Sequence, residues 1–204
     1  MPALTRRHLL QHLSTLAAGS AVGLPAYCAY AAEWGNWSGN QSASPAQFIY
    51  ASDEAHISEV VRAAKQLRVV GGSHSFSALV PSDDTLLSLE ALNGAVSHDT
   101  ARHQGTYWAG SRLAQVSALA AAAGQSLINE PDINVQSLGG AISTATHGTG
   151  GNLTCLSANV TNIRLITADG IALDCSAQQH SEIFNAARVG LGCLGVMSQI
   201  TLQN

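Results

Sequence analysis

Apolar residues recur along the chain with two different periods. A spacing of three or four residues predicts one face of a helix, whereas alternation or a short apolar run predicts a strand. The pattern predicts helices that begin near Ser52 and near Ser111, the second capped by Ser111, and a third over 182–188. It predicts strands over 47–51, 68–70, 85–89, 105–109, 160–167, 171–174 and 196–202.

The order of these elements indicates how the chain is organised. Strands alternate with helices, and 160–174 predicts a hairpin about the turn 168–170, a combination typical of an α+β fold. We expect a domain over 45–204 made of two small α/β lobes, about 45–93 and 94–204, that divide near Asn93 and Gly94. Residues 32–44 are polar and rich in Gly and Ser, and predict an extended lead-in.

The N-terminus predicts a targeting segment rather than part of the fold. Residues 5–10 read TRRHLL, an apolar run without acidic residues continues to Pro25, and a small-x-small pattern ends at Ala31. The run is too short and too interrupted to predict a stable membrane anchor. The arginine pair resembles the twin-arginine export signal, with an ordinary signal peptide as the alternative. Residues 1–31 therefore predict a twin-arginine-type signal peptide.

We expect export to the periplasm or the extracellular space by the twin-arginine route, which carries folded proteins and so suits a chain that acquires its cofactor before export. Replacing Arg6 and Arg7 with lysine should reduce the mature protein in the exported cell fraction. Undiminished export of the lysine variant would contradict this route.

Charge and cysteine content exclude some classes of function. Without Arg6 and Arg7 the chain has seven basic and 13 acidic residues, a net charge of −6, which argues against a nucleic-acid partner. After the signal peptide three cysteines remain, an odd number at wide spacing that argues against a disulfide framework. The apolar surroundings of Cys193 predict a small buried thiol.

Three segments carry candidate chemistry. The first is the strand end and loop 69–75, VVGGSHS, in which consecutive glycines allow backbone N–H groups to converge on a phosphate. Alone, this loop also fits a plain turn, and His74 alone also fits a structural histidine. The second is 129–150, NEPDINVQSLGGAISTATHGTG, whose small and hydroxyl side chains allow close approach of a flat ligand. The third is 188–196, RVGLGCLGV.

Together, in this order and at these separations, the three segments closely resemble the aldonolactone and alditol oxidases, a group of the vanillyl-alcohol-oxidase flavoproteins with a PCMH-type FAD-binding domain. The resemblance extends from about Trp34 to the last residue. It implies that the loop cradles the FAD pyrophosphate and that His74 bonds covalently to the flavin 8α-methyl carbon. The implied FAD-binding residues are Gly71, Gly72, Ser73, His74, Ser75, Asp132, Ser137, Gly140, Thr144, Ala145, Thr146, His147 and Val196, with Gly139 as a packing neighbour.

The resemblance also implies a reaction. A sugar alcohol or aldonolactone would pass a hydride to flavin N5, and oxygen would take the electrons and form hydrogen peroxide. A dehydrogenase with another electron acceptor and a stand-alone flavin-binding module are the alternatives. We expect a single covalent bond, because residues 129–138 contain no cysteine that could form a second one.

Members of the group continue past the strand that ends at Asn204, into a substrate (cap) domain. We therefore expect this chain to be a fragment that binds FAD and turns over no sugar substrate by itself. The catalytic residues stay unknown, since Glu130 and Asp132 fit turn carboxylates beside Pro131 better than a general base.

Two other patterns are misleading. Gly190, Gly192 and Gly195 match the dinucleotide fingerprint as a string, but that fingerprint follows a strand and opens a helix, whereas here we expect the reverse order. The histidines His74, His98, His103 and His147 lack close ligand spacing, so the sequence predicts no metal site; His98 and His103 fit an exposed strand and turn.

Overall fold

The computed structural model describes residues 33–204. The predicted signal peptide lies outside the described residues and stays a prediction. Among residues 33–204, no helix has the length and apolar content needed to cross a bilayer.

The strands are β1 (Trp34–Gly35), β2 (Ser42–Ala43), β3 (Gln47–Tyr50), β4 (Leu67–Val70), β5 (Thr85–Ser88), β6 (Ala95–Asp99), β7 (Gln104–Trp108), β8 (Val160–Ile166), β9 (Ala172–Ser176) and β10 (Val196–Gln203). The helices are α1 (Glu54–Ala63), α2 (Leu113–Ala122), α3 (Leu138–Ser143) and α4 (Ser181–Ala187), with a 3-10 turn over Leu156–Asn159.

A three-stranded parallel sheet forms the first part of the fold. Its order is β3-β5-β4, so β5 is the central strand, and Ile49 and Val69 both pair with Leu87. Strands β3 and β4 flank β5 and run parallel to it, and parallel strands of one sheet require a crossover connection, which α1 supplies between β3 and β4. One face of the sheet packs on the main core, and the other packs on Trp34 of β1.

A five-stranded antiparallel sheet forms the rest. Its order is β6-β7-β10-β8-β9, and β10, the last strand, lies at the centre. The hairpin between β8 and β9 turns at Gly170, whose φ of +74° only glycine adopts without strain. The chain passes from the first sheet to the second between Ser88 and Ala95. The α+β class predicted from the sequence is confirmed.

One hydrophobic core joins the two sheets. Ile57 and Val60 on α1 pack in the same cluster as Ile163 and Ile200 of the antiparallel sheet. Helix α1 therefore lies between the sheets and buries its apolar face against both. This arrangement fixes the end of β4 relative to α3, where the candidate site lies.

Several local predictions were wrong. Ser111 does not cap α2: Arg112 occupies the cap position, and the Ser111 hydroxyl accepts a hydrogen bond from the Gly94 N–H (2.8 Å). Cys193 is exposed rather than buried, because the turn about Leu191 and Gly192 has left-handed backbone angles that direct it away from the core. His98 is half-buried, and its Nε2 lies 3.2 Å from the Tyr107 hydroxyl.

Glu54 links α1 to the antiparallel sheet. Its carboxylate accepts hydrogen bonds from Arg164 Nε (2.9 Å) and from the fully buried Ser198 hydroxyl (2.6 Å). Arg164 also donates to Asp174 (2.8 Å), and the hydrogen bond from Glu54 raises the pKa of the Arg164 guanidinium. Both side chains of the Glu54–Arg164 pair are mostly buried, so solvent screens the interaction less than at an open surface.

We expect Glu54→Ala to lower the free energy of unfolding by about 2 to 3 kcal/mol, because it removes the charge-assisted bonds that the carboxylate accepts from the mostly buried Arg164 guanidinium and the buried Ser198 hydroxyl. Urea denaturation measures this change. Glu59→Ala is the matched control, since Glu59 is exposed on the same helix and should change stability by less than about 0.5 kcal/mol. Equal stabilities of the two variants would show that the Glu54 link contributes nothing.

Candidate functional site

The candidate site lies around the loop 71–77, which begins where β4 ends at Val70. Strands β4 and β5 are parallel, so their carboxyl ends meet at the same edge of the sheet, where ligands of open α/β sheets bind. The short helix α3 lies against this edge: a side chain at Gly71 would contact Ser137 and the backbone of Gly140. Two of the three predicted segments therefore meet here.

The loop presents a row of free hydrogen-bond donors. Within residues 33–204, the backbone N–H groups of 72–77 have no acceptor. Buried or half-buried N–H groups rarely stay unpaired, and consecutive free groups form an anion-binding concavity. Ser73 has a φ of +57°, an uncommon conformation for a residue with a side chain, which turns the backbone sharply at the centre of the row.

The carbonyl groups of the same loop accept hydrogen bonds from a separate segment of the chain. The contacts come from the segment 34–43, which contains β1 and β2. They are the Trp37 N–H to the Ser73 carbonyl (2.9 Å), Asn36 Nδ2 to the Ser75 carbonyl (2.9 Å), and Asn40 Nδ2 to the Phe76 carbonyl (3.0 Å). The Trp34 indole N–H also donates to the Ser73 hydroxyl (3.1 Å). The carbonyl groups of Ser73, Ser75 and Phe76 therefore already accept hydrogen bonds, whereas the backbone N–H groups of 72–77 remain available to a ligand.

The two glycines of the loop are required by close packing. A Cβ on Gly72 would lie 2.9 Å from the Gln136 Cα and 3.0 Å from the Val135 carbonyl oxygen, closer than side-chain carbons approach backbone. The same Cβ would lie 2.9 Å from Arg112 Nη1, which donates to the Val135 carbonyl (2.9 Å). The loop and the segment before α3 thus touch backbone to backbone.

Helix α3 contributes small side chains rather than free donors. Its first N–H groups are already bonded, Leu138 to the Ser111 carbonyl and Gly139 to the Ala109 carbonyl. The Ser137 hydroxyl caps the helix by accepting from the Gly140 N–H (3.2 Å). Free donors for an anion therefore come from the loop, and α3 supplies a surface that a flat group can approach closely.

Loop, α3 and the segment before β10 together line an open cleft of about 390 Å³, within the range of small-molecule sites. Arg68 is the charged residue among its lining groups, and no carboxylate of residues 33–204 lines it. A cleft with free N–H donors and without acidic side chains suits a ligand that carries negative charge. This electrostatic pattern fits a pyrophosphate.

The structure brings eight of the predicted site residues to this cleft: Gly71, Gly72, Ser73, His74, Ser75, Ser137, Gly140 and Thr144. The other five lie outside its lining. Asp132 and His147 are exposed, Ala145 and Thr146 lie just beyond α3, and Val196 is buried in β10. Their contacts with FAD stay predictions.

The cleft also contains residues that the sequence did not single out as binding residues. Gly139 packs on Ala109 and also lines the cleft. Other lining residues of this kind are Gly110, Gln136, Gly192, Gly195 and Met197. Glycine content was the available signal for Gly192 and Gly195, which belong to the string with the dinucleotide spacing. That string follows α4 and precedes β10, so the predicted order of elements is confirmed.

His74 lies on the lining of the cleft and is half-buried. The Trp37 ring, which does not line the cleft, stacks on the imidazole, with ring centroids 5.3 Å apart and planes at 20°. Within residues 33–204, no group of three or more His, Cys, Asp or Glu side chains could hold a metal ion.

The residues present fit FAD. The free N–H row and the absence of carboxylates match the pyrophosphate, and a Cβ at Gly71 or Gly72 would fill the space between loop and α3. His74 lies beside these glycines on the lining of the same cleft.

Comparison with known proteins gives the same assignment. A family model described as "FAD binding domain" matches residues 45–176. The chain is 36% identical over 174 residues to the L-gulono-1,4-lactone dehydrogenase of Mycobacterium tuberculosis, covering 83% of this chain and 40% of that protein. It is 34% identical over 172 residues to the L-gulonolactone oxidase of Bos taurus, covering 82% and 39%.

A putative D-arabinono-1,4-lactone oxidase of Neurospora crassa is 32% identical over 171 residues, covering 82% of this chain and 31% of that protein. The chain thus spans about 40% or less of the length of these relatives. A solved structure titled "Structure of FgChi7B" shares the fold, with a TM-score of 0.73 at 14% identity over 80% of this chain and 36% of that one. The chain belongs to the PCMH-type FAD-binding domain family, in its aldonolactone oxidase group.

Proposed function

We propose that the chain is the FAD-binding portion of an oxidoreductase that oxidises a sugar alcohol or an aldonolactone. The observation that carries the proposal is the row of free backbone N–H groups over 72–77, facing a cleft without carboxylates. Bound FAD would supply the hydride acceptor at flavin N5, with oxygen reduced to hydrogen peroxide. The substrate class comes from the lactone relatives, and the activity belongs to the full-length protein.

The residues of this chain bind and orient the cofactor. The loop donors hold the pyrophosphate, and the small residues of α3 let the rest of the cofactor lie against backbone. Within residues 33–204, the cleft lining contains no carboxylate and one histidine, His74, and the catalytic residues stay unknown.

We further propose that His74 forms a covalent bond to the flavin 8α-methyl carbon. The imidazole gives up its N–H proton and the methyl carbon gives up one hydrogen as the N–C bond forms. Dissolved oxygen takes the two electrons and two protons and becomes hydrogen peroxide, so the step balances. The half-buried position of His74 on the cleft lining supports this assignment.

A binding titration tests the cofactor assignment. The chain freed of flavin should bind FAD, and it should bind riboflavin, which lacks the pyrophosphate, about a hundredfold more weakly. Two charge-assisted hydrogen bonds of about 1.5 kcal/mol each account for that factor. Flavin fluorescence quenching gives both affinities. Equal affinity for the two flavins would refute the pyrophosphate role of the loop.

A dehydrogenase is the second candidate, because a relative at 36% identity carries that name. The two candidates differ in the electron acceptor. The full-length protein, supplied with L-gulono-1,4-lactone, should consume oxygen and form stoichiometric peroxide if it is an oxidase. Turnover with an artificial dye as electron acceptor, and none with oxygen, would establish the dehydrogenase instead.

A further inference from the structure

We propose that Trp37 positions the His74 imidazole for its covalent bond to the flavin, and that the segment 34–43 serves as the support of the whole loop. The inference rests on the proposed covalent attachment. It concerns residues that neither line the cleft nor belong to the three segments with candidate chemistry.

The first observation is the ring stack. Trp37 is 67% exposed, unusual for an indole without a contact role, and its ring lies nearly parallel to the imidazole of His74. Stacked aromatic rings restrict each other's orientation and contribute about 0.5 to 1.5 kcal/mol. The indole, which does not line the cleft, therefore limits rotation of the imidazole.

The second observation is the backbone tie at the same place. Trp37 donates its N–H to the carbonyl of Ser73, the residue immediately before His74, and Trp34 donates to the Ser73 side chain. Ser73 has left-handed backbone angles, which a serine keeps only when its surroundings hold it there. The segment 34–43 thus fixes both the backbone that carries His74 and the plane of its ring.

The third observation is that the hydrogen bonds from other segments to the loop come from 34–43. The N–H groups of 72–77 make no hydrogen bonds within residues 33–204, so the loop is not held by a backbone ladder. The bonds from Asn36 and Asn40 to the carbonyls of Ser75 and Phe76 come from the same segment. Removing this support would leave His74 on a loop that samples several arrangements.

Bond formation depends strongly on such placement. The imidazole nitrogen has to lie within about 3 to 3.5 Å of the 8α carbon, and a displacement of about 1 Å costs on the order of a hundredfold in rate. Non-covalent binding of FAD depends on the free loop donors and on the glycine contacts with 135–136. Replacing Trp37 with alanine removes the ring but keeps the backbone N–H that bonds to the Ser73 carbonyl, so this change should affect the covalent step much more than the binding step.

The experiment uses the full chain freed of flavin, mixed with FAD in air. Total bound flavin is measured by absorbance after gel filtration, and covalent flavin by the fluorescence retained after acid precipitation. In Trp37→Ala we expect covalent attachment to be slower by about ten- to a hundredfold, with total FAD binding within about threefold of the unmodified chain. Trp37→Phe, which keeps an aromatic ring, should restore most of the rate.

Tyr50→Ala is the matched control, because Tyr50 is also an exposed aromatic residue that contacts a neighbouring ring, Phe48, and neither of the two lines the cleft. It should attach FAD at the unmodified rate. Attachment by Trp37→Ala at the unmodified rate would overturn the inference. So would a parallel loss of covalent and total flavin, since that pattern indicates a structural role only. If the unmodified chain binds FAD but attaches none, the covalent proposal itself fails.

Discussion

His74→Ala should abolish acid-stable flavin, whereas the unmodified chain should keep its yellow colour through acid precipitation. His74 is the histidine on the cleft lining, so no other imidazole of the described residues can replace it there. The unmodified chain should gain the mass of one FAD, and the variant should show the mass of the bare polypeptide. Acid precipitation followed by intact-mass spectrometry measures both.

The variant should still bind FAD non-covalently, because the free N–H groups of 72–77 and the contacts of Gly72 do not involve the imidazole. His103→Asn is the control: His103 is exposed, lies in the turn just before β7 and outside the cleft lining, and has a left-handed conformation that asparagine tolerates. If the unmodified chain releases all its flavin in acid, the covalent assignment is wrong and His74 is a contact only.

Gly72→Val should lower the affinity for FAD by at least about a hundredfold, or about 2.7 kcal/mol. A Cβ at this position meets the Gln136 Cα and the Val135 carbonyl oxygen, both backbone atoms that cannot rotate away. The loop and the segment before α3 must then separate, and the donors of 72–77 no longer converge on one point. Fluorescence titration with FAD measures the change.

Gly151→Val is the matched control, since a Cβ there meets nothing within 4 Å and its backbone needs no positive φ. Thermal unfolding of both variants distinguishes loss of the site from loss of the fold. A Gly72→Val protein that is folded and binds FAD as tightly as the unmodified chain would show that the loop is not the pyrophosphate cradle.

Much of the fold could be predicted from local patterns. The strands 47–50, 85–88 and 196–203 and the helices α1 and α4 lie within a few residues of their predicted positions. In α1 the apolar period matches the buried face, as Ile57 and Val60 show. Helix α3 was missed because Leu138–Ser143 contains two glycines, which lower helix propensity; the Ser137 cap and the buried Leu138 and Ile142 compensate for them.

The sequence by itself predicted the cofactor class, through the resemblance of three segments to a flavoprotein family, and the loop expected to hold that cofactor. The features that carry the resemblance are the consecutive glycines before His74, the small-residue segment 129–150 and the string RVGLGCLGV. Their order and separations can be seen in the sequence without any tertiary information. Only the tertiary structure decided which of those residues share the cleft, because a sheet edge brings 71–77 and 137–144 together while Asp132 and His147 stay at the surface.

The tertiary structure alone also gave a role to the lead-in. In the sequence, residues 34–43 are a polar stretch rich in Gly and Ser, and nothing in their spacing indicates a partner. In the fold they donate hydrogen bonds across about 35 to 39 positions to the carbonyls of 73–76, and Trp37 stacks on His74. Hydrogen bonds between distant segments depend on how the core packs the two sheets, and local patterns carry no information about that packing.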